Sequence, residues 1–225
     1  ALAARLDGFN TERREIEAGV LAAAIEAVER ETVPSPVVFV AGEGWHPGVI
    51  GIVASRLKER YNRPACVVAL ENGTGKGSGR SVSGFELGAA VIAARQAGLL
   101  VNGGGHAMAA GFTVERDRIA ALRDFLAARV EATLGSEPLV PELALDGAVA
   151  AGAATPELVA TLETLAPFGA GNAEPRFALP SVRVVRAEVV GGAHVRAVLA
   201  DAAGAARLNA IAFRCLDTAL GPALL

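Results

Sequence analysis

Short apolar runs and amphipathic helical stretches alternate along the first 135 residues, and this alternation limits the fold more than any other feature of the sequence. Apolar residues recur at helical spacing between Thr11 and Glu31, and Pro34 and Pro36 would end that helix. Further helices are predicted near 49–61, 86–97 and 118–134, with strands near 37–40, 65–70 and 111–114. Strands that alternate with helices predict an α/β domain.

The alternation ends at Gly135-Ser136-Glu137-Pro138, so we place a domain boundary there. Thr155 followed by Pro156 predicts a capped helix that runs to about Leu165. Three strands are then predicted at 182–190, 194–199 and 208–213, with glycine-containing turns between them. Such a series of strands is typical of part of a small β-barrel.

Two glycine-rich stretches, 75–81 and 103–106, are predicted as loops that could bind an anion. Glycines let a phosphate approach backbone N–H groups, and the imidazole of His106 adds a further donor. Ser78, Arg80 and Ser81 could share that phosphate through their hydroxyl and guanidinium groups. The first stretch is not a P-loop, because Gly77 follows Lys76, and its spacing does not fit the Rossmann motif.

A purely structural interpretation of these residues stays open. The glycines Gly103–Gly105 could form a tight turn, and His106 could cap it. Arg80 could pair with Glu71 or Glu86, and Trp45, which precedes His46, could simply pack in the core.

The charge distribution favours a polyanion near the two glycine-rich stretches. The net charge is −3 overall, but residues 56–129 carry 11 Arg and Lys against 6 Asp and Glu, and both flanking parts are acidic. A local basic surface can attract nucleic acid even on an acidic protein. Chance clustering of solvated arginines is the alternative.

Metal and nucleophile chemistry have little support in the sequence. The histidines His46, His106 and His194 have no ligand-like spacing, and no Gly-x-Ser-x-Gly motif occurs. With no long apolar segment and two cysteines, a cytoplasmic location without membrane contact is expected. Met108 is the only methionine, so we expect the chain to be part of a longer protein.

Several motifs, taken in order, resemble the RecJ family of DHH phosphoesterases. They are Gly44-Trp45-His46-Pro47-Gly48, Gly75-Lys76-Gly77-Ser78-Gly79-Arg80-Ser81, Gly103-Gly104-Gly105-His106 and Pro167-Phe168-Gly169-Ala170-Gly171-Asn172-Ala173-Glu174-Pro175. The resemblance implies a connector helix (1–33), a DHH-associated α/β domain with a mixed sheet flanked by helices (34–135), and a truncated OB-like domain (136–225). Ala173 stands where the family more often has proline.

The resemblance also implies a function. RecJ proteins degrade single-stranded DNA from 5′ to 3′ with two metal ions, Mn²⁺ or Mg²⁺, held by a DHH domain. No Asp-His-His occurs in this sequence, so we expect no metal and no catalytic residue here, with His106 at most assisting. The implied phosphate-binding residues are Ser78, Arg80, Ser81, Gly103, Gly104, Gly105 and His106, and the implied cleft residues are Trp45, His46 and Lys76.

Three functions follow from the resemblance. The first is the DNA-gripping portion of a RecJ-like exonuclease, whose partners would be single-stranded DNA, a single-stranded-DNA-binding protein and a helicase. The second is a DHH phosphodiesterase of short oligonucleotides or cyclic dinucleotides, and the third is a non-catalytic nucleic-acid-binding module. An OB-like tail after residue 165 would favour the first over the second.

Overall fold

The computed structural model describes residues 2–135, 139–169 and 171–225. The chain forms two compact units, Ala1–Pro141 and Glu142–Leu225. The elements of the first unit are α1 (Leu2–Glu29), β1 (Val38–Glu43), α2 (Ile50–Tyr61), β2 (Ala65–Glu71), β3 (Thr74–Arg80), α3 (Leu87–Gln96), β4 (Asn102–His106), β5 (Ala109–Glu115) and α4 (Ile119–Leu134). Its helices and its three apolar strands lie close to their predicted positions.

The five strands of the first unit form one mixed sheet in the order β1-β2-β3-β5-β4. Strands β1 and β2 are parallel, whereas the remaining neighbours are antiparallel. The predicted α/β architecture with a mixed sheet is therefore confirmed. Strand β4 lies at one edge, next to β5, with which it forms a hairpin.

The two faces of this sheet are covered differently. Helices α3 and α4 pack on one face, where Val68, Val114 and Leu122 are among the buried residues of a continuous apolar core. Helices α1 and α2 pack on the other face, where Val53 and Val67 belong to a second core. On this second face the part formed by β3, β5 and β4 borders an open groove.

The prediction that both glycine-rich stretches are loops is wrong, because they form strands β3 and β4. Every second residue of β3 is a glycine that faces the α3 side. A Cβ atom at Gly77 would lie 2.1 Å from the Phe112 ring, and one at Gly79 would lie 2.7 Å from Leu87. Glycine is needed at these positions because the core packs directly against the backbone.

The second unit is rich in strands, as predicted. Its elements are β6 (Gly147–Ala148), α5 (Pro156–Glu163), β7 (Phe177–Ala178), β8 (Arg183–Val190), β9 (His194–Ala200), β10 (Arg207–Ala212) and α6 (Leu220–Leu224). The Thr155 hydroxyl accepts a hydrogen bond from the Leu158 N–H at 3.4 Å, so the predicted helix cap is confirmed. Strands β8, β9 and β10 form an antiparallel sheet with β9 in the centre.

Two predicted features fall partly outside the described residues. Ser136, Glu137 and Pro138 of the predicted boundary lie outside the described residues, and so does Ala170 in the turn-rich segment 167–175. In that segment Gly169 and Asn172 form a short antiparallel bridge. None of the helices in the described ranges has the length and apolar character needed to cross a lipid bilayer.

Candidate functional site

The open part of the sheet carries three rows of residues in register across β3, β5 and β4. Residues directly opposite one another in antiparallel strands point to the same side, so each row shares one face. From one end to the other, the rows are Lys76–Thr113–Asn102, Ser78–Gly111–Gly104 and Arg80–Ala109–His106. The first two rows and the start of α2 line a groove of about 840 Å³, and the third row continues the same face beyond it.

The middle row forms a floor almost free of side chains. The position of a Cβ atom at Gly104 has no other heavy atom within 4 Å, and at Gly111 the nearest is the Gly77 carbonyl oxygen at 3.9 Å. Ser78 supplies the one hydroxyl of this row. A ligand can therefore approach the backbone here more closely than at the rows on either side.

Arg80 is held in place beside this floor. Its Nη1 atom donates to the Ser78 hydroxyl at 3.2 Å and to the Gly79 carbonyl at 2.9 Å. A Cβ atom at Gly51, in the first turn of α2, would lie 3.1 Å from Arg80 Nη2. Among the described contacts, the guanidinium binds these neutral groups instead of a carboxylate, so its charge is available to an anion.

The row beyond Ser78 contains two residues that the sequence analysis missed, Thr113 and Asn102. Lys76 Nζ donates to Thr113 Oγ1 at 3.2 Å, and Asn102 Oδ1 accepts from the Gly103 N–H at 2.8 Å. Neither residue belongs to a recognisable motif. Only the strand register, which brings them beside Lys76, reveals them.

His106 lies exposed at the end of β4, and contacts with α3 fix the backbone around it. The Leu87 N–H donates to the Ala107 carbonyl at 3.0 Å. A Cβ atom at Gly88 would lie 2.7 Å from the carbonyl oxygens of Gly105 and His106, so only glycine allows this close approach. The β4–β5 hairpin is therefore attached firmly to the start of α3.

Ser81, Gly103 and Gly105 are placed differently from the other predicted phosphate-binding residues. Ser81 is buried, its hydroxyl donates to the Phe85 carbonyl at 2.7 Å, and its N–H donates to the Met108 carbonyl. Both polar groups of Ser81 are therefore engaged inside the protein, away from the groove. Gly103 and Gly105 belong to an extended strand and not to the predicted anion-binding loop, although the backbone of Gly103 borders the groove.

Trp45 and His46, predicted as cleft residues, organise the chain before α2 instead of lining the groove. The Trp45 ring lies across Gly42, where a Cβ atom would be only 2.1 Å from it, and packs on the core beneath α1 and α2. His46 Nδ1 accepts from the Gly48 N–H at 3.0 Å. The groove wall itself is formed by Pro47 and Gly48.

The described residues do not fit a divalent metal site. Among them, no three His, Cys, Asp or Glu side chains come together in a group that could hold a metal ion. Cys66 is no better as a nucleophile, because burial raises the pKa of its thiol to about 12. What the open face offers is a set of hydrogen-bond donors and cationic groups.

Comparison with known families agrees with both units of the structure. Residues 14–132 match the family model for the DHHA1 domain, and residues 145–223 match the RecJ OB domain. The chain belongs to the RecJ family. The family resemblance drawn from the motifs is therefore confirmed, together with the α/β and OB domain types.

Relatives from two bacteria carry the description single-stranded-DNA-specific exonuclease RecJ. The protein of Bacillus subtilis (strain 168) is 38% identical over 176 residues, which are 77% of this chain and 22% of the relative. That of Escherichia coli (strain K12) is 35% identical over 229 residues, which are 98% of this chain and 39% of the relative. The chain thus spans about a fifth to two fifths of the length of these RecJ relatives.

A solved RecJ structure extends the agreement to three dimensions. The crystal structure of RecJ in complex with Mn²⁺ from Thermus thermophilus superposes with a TM-score of 0.72 at 28% identity. The match covers 93% of this chain and 30% of that chain.

Proposed function

We propose that this chain is the substrate-binding portion of a RecJ-type exonuclease that degrades single-stranded DNA from 5′ to 3′. The observation that carries the proposal is the pairing of Arg80 with Ser78 beside the open floor at Gly104. A phosphate seated there would receive a guanidinium and a hydroxyl, with no side chain blocking its approach. The descriptions of the relatives as single-stranded-DNA-specific exonucleases agree with a DNA phosphate as the ligand.

The electrostatics of the face support a nucleic-acid backbone over a neutral ligand. Lys76 and Arg80 contribute two cations, and the first two rows add hydroxyl and amide donors without any carboxylate. Phosphate oxygens accept hydrogen bonds and carry charge, so such a face binds them without reading base sequence. His106, exposed at the edge of this face, would contact the same backbone.

The hydrolytic chemistry lies elsewhere in this proposal. The metal ions of the reaction, Mn²⁺ or Mg²⁺, would be held by a DHH domain beyond these 225 residues, and they supply activated water and charge stabilisation. The residues described in this chain bind and orient the strand. Ser78, Arg80 and Gly104 would hold the DNA backbone in place. His106 would assist them without acting as a catalytic residue.

The RecJ OB domain match at 145–223 favours this function over the two alternatives. A phosphodiesterase of short oligonucleotides or cyclic dinucleotides is not expected to carry an OB domain of the RecJ type. A module that only binds nucleic acid is less consistent with relatives that are described as exonucleases. We further propose a cytoplasmic role in DNA repair and recombination, with a single-stranded-DNA-binding protein and a helicase as partners.

Fluorescence anisotropy with labelled single-stranded oligonucleotides tests the proposal. Replacing Arg80 with alanine should weaken binding about tenfold or more, because a charged hydrogen-bonding group contributes about 1.5–3 kcal/mol. Ser78→Ala should weaken it by a smaller factor. Arg123→Ala is the matched control, because Arg123 is an exposed arginine on α4, which packs on the opposite face of the sheet.

Equal affinity of the Arg80→Ala and Arg123→Ala variants would contradict the phosphate site. Thermal unfolding of each variant, followed by circular dichroism, confirms that the compared proteins are folded. Should Arg80→Ala be unstable, Arg80→Lys is the substitute, because it keeps the charge but cannot bind phosphate in a bidentate manner. We also expect no manganese-dependent digestion by the 225-residue chain alone, measured on a labelled strand.

A further inference from the structure

Lys76, Thr113 and Asn102 form a row in which each side chain makes one hydrogen bond within the protein and keeps at least one donor for a ligand. Thr113 Oγ1 accepts from Lys76 Nζ, so its hydrogen is left to donate to another group. Asn102 Oδ1 accepts from the Gly103 N–H, so its amide Nδ2 is left as a donor. The Lys76 ammonium keeps two further hydrogens. A partner for this row must therefore be rich in acceptors.

The distance from this row to Ser78 matches one nucleotide. The two rows are two residues apart along β3, which corresponds to about 6.7 Å in a strand. The sugar-phosphate repeat has as many backbone bonds as two amino-acid residues, so an extended nucleotide spans about the same distance. A phosphate at Ser78 thus has its chain neighbour at Lys76.

The groove is also too large for a single phosphate group. Its volume of about 840 Å³ lies in the upper part of the range for sites that enclose whole small molecules. Its lining extends from the start of α2 to Asn102 and Thr113, and contains both the Ser78 row and the Lys76 row. The open floor at Gly104 and Gly111 completes the Ser78 row, directly beside the Lys76 row.

We propose that Lys76, Thr113 and Asn102 form a second phosphate subsite, which binds the linkage next to the one held by Ser78 and Arg80. This inference rests on the proposed function, because it extends the same groove by one nucleotide. The strand would lie along β3, with successive phosphates on successive rows. Base identity would have little influence on this subsite, since its donors would bind phosphate oxygens, which are the same in every nucleotide.

The affinity ratio of two small probes tests the second subsite. Thymidine 5′-monophosphate carries one phosphate, whereas the 5′-phosphorylated thymidine dinucleotide carries two, and calorimetry or ligand-detected NMR gives both dissociation constants. The native chain should bind the dinucleotide more tightly. The double substitution Thr113→Val with Asn102→Ala should reduce this advantage about tenfold, as expected when two hydrogen bonds to a charged group are lost.

Two controls separate the possible outcomes. Thr74→Val changes a threonine on the same face of β3, one row beyond the groove lining, and should leave the ratio unchanged. Arg80→Ala should weaken both probes. Thr113→Val alone keeps the side-chain shape, so it should lower the ratio in part even if Asn102→Ala unfolds the chain.

An unchanged ratio in the double variant, with Arg80→Ala weakening both probes, would overturn the second subsite and leave the proposed function intact. If Arg80→Ala bound each probe with the same affinity as the native chain does, that result would instead overturn the proposed function itself.

Discussion

On one side of β3 and β4, glycine makes room for a packed core, whereas on the other side it leaves a groove open. At Gly77 a side chain would enter the Phe112 ring, but at Gly104 it would meet no atom within 4 Å. The two residues look alike in the sequence. The comparison teaches that the position of a glycine within the strand alternation, and not glycine content, decides whether it makes room for the core or leaves the groove open.

The largest expected effect is on the packed side. Gly77→Ala should lower the free energy of unfolding by about 1–3 kcal/mol, because the new methyl group overlaps the Phe112 ring. Gly104→Ala is the matched control in the neighbouring edge strand and should change the stability by no more than about 0.5 kcal/mol. Urea denaturation measures both, and equal losses would show that the two faces do not differ.

A larger side chain on the open side should affect binding instead of stability. Gly104→Val places a branched group on the groove floor, so the affinity for single-stranded DNA should fall about tenfold. Gly8→Val, which adds the same group to open space on α1, should leave binding unchanged. Native affinity in Gly104→Val, measured by anisotropy, would mean that the strand does not cross this floor.

The charge at the far row should appear in the salt dependence of binding. Lys76→Ala should reduce the slope of log affinity against log salt concentration by about 0.7, as expected for one lost phosphate contact with a single strand. Lys58→Ala, which removes a lysine from α2 outside the groove lining, should keep the native slope. Binding titrations with single-stranded DNA at several salt concentrations measure both slopes, and equal slopes for the two variants would contradict the prediction.

A pH-dependent effect concerns Cys66, which lies beneath Gly79 on the packed side. Burial raises the pKa of its thiol from 9.0 to about 12. Below pH 9.0 both the folded and the unfolded chain keep the proton, whereas between pH 9.0 and 12 only the unfolded chain loses it. The free energy of unfolding should therefore fall with pH in this window, and less so in Cys66→Ala. Identical pH profiles, measured in reducing buffer, would contradict this.

The helices and apolar strands could be predicted closely because their side chains carry the signal. Val67 and Val68 are apolar on both faces of a central strand, and the apolar residues of α2 recur at helical spacing. Strands β3 and β4 gave no such signal, since their packed positions are glycines. The alternation of glycine with Lys76, Ser78 and Arg80 nevertheless has the period of a strand, and could have identified β3.

The candidate site could be predicted only in part. The motifs singled out Ser78, Arg80, Gly104 and His106, which the structure brings to one face. Treating the stretches as loops also grouped Ser81 with them, although alternation in a strand turns adjacent residues to opposite sides. Thr113 and Asn102 were missed because their proximity to Lys76 depends on the pairing of β5 with β3, which joins residues 37 positions apart.

The attachment of the β4–β5 hairpin to α3 makes His106 dependent on a helix from the other side of the sheet. Any tilt of α3 would be transmitted to His106 through Leu87 and Gly88, because they hold the hairpin backbone without an intervening side chain. Arg80, in contrast, rests against α2. The two ends of the third row are thus positioned by helices on opposite faces of the sheet, Arg80 by α2 and His106 by α3.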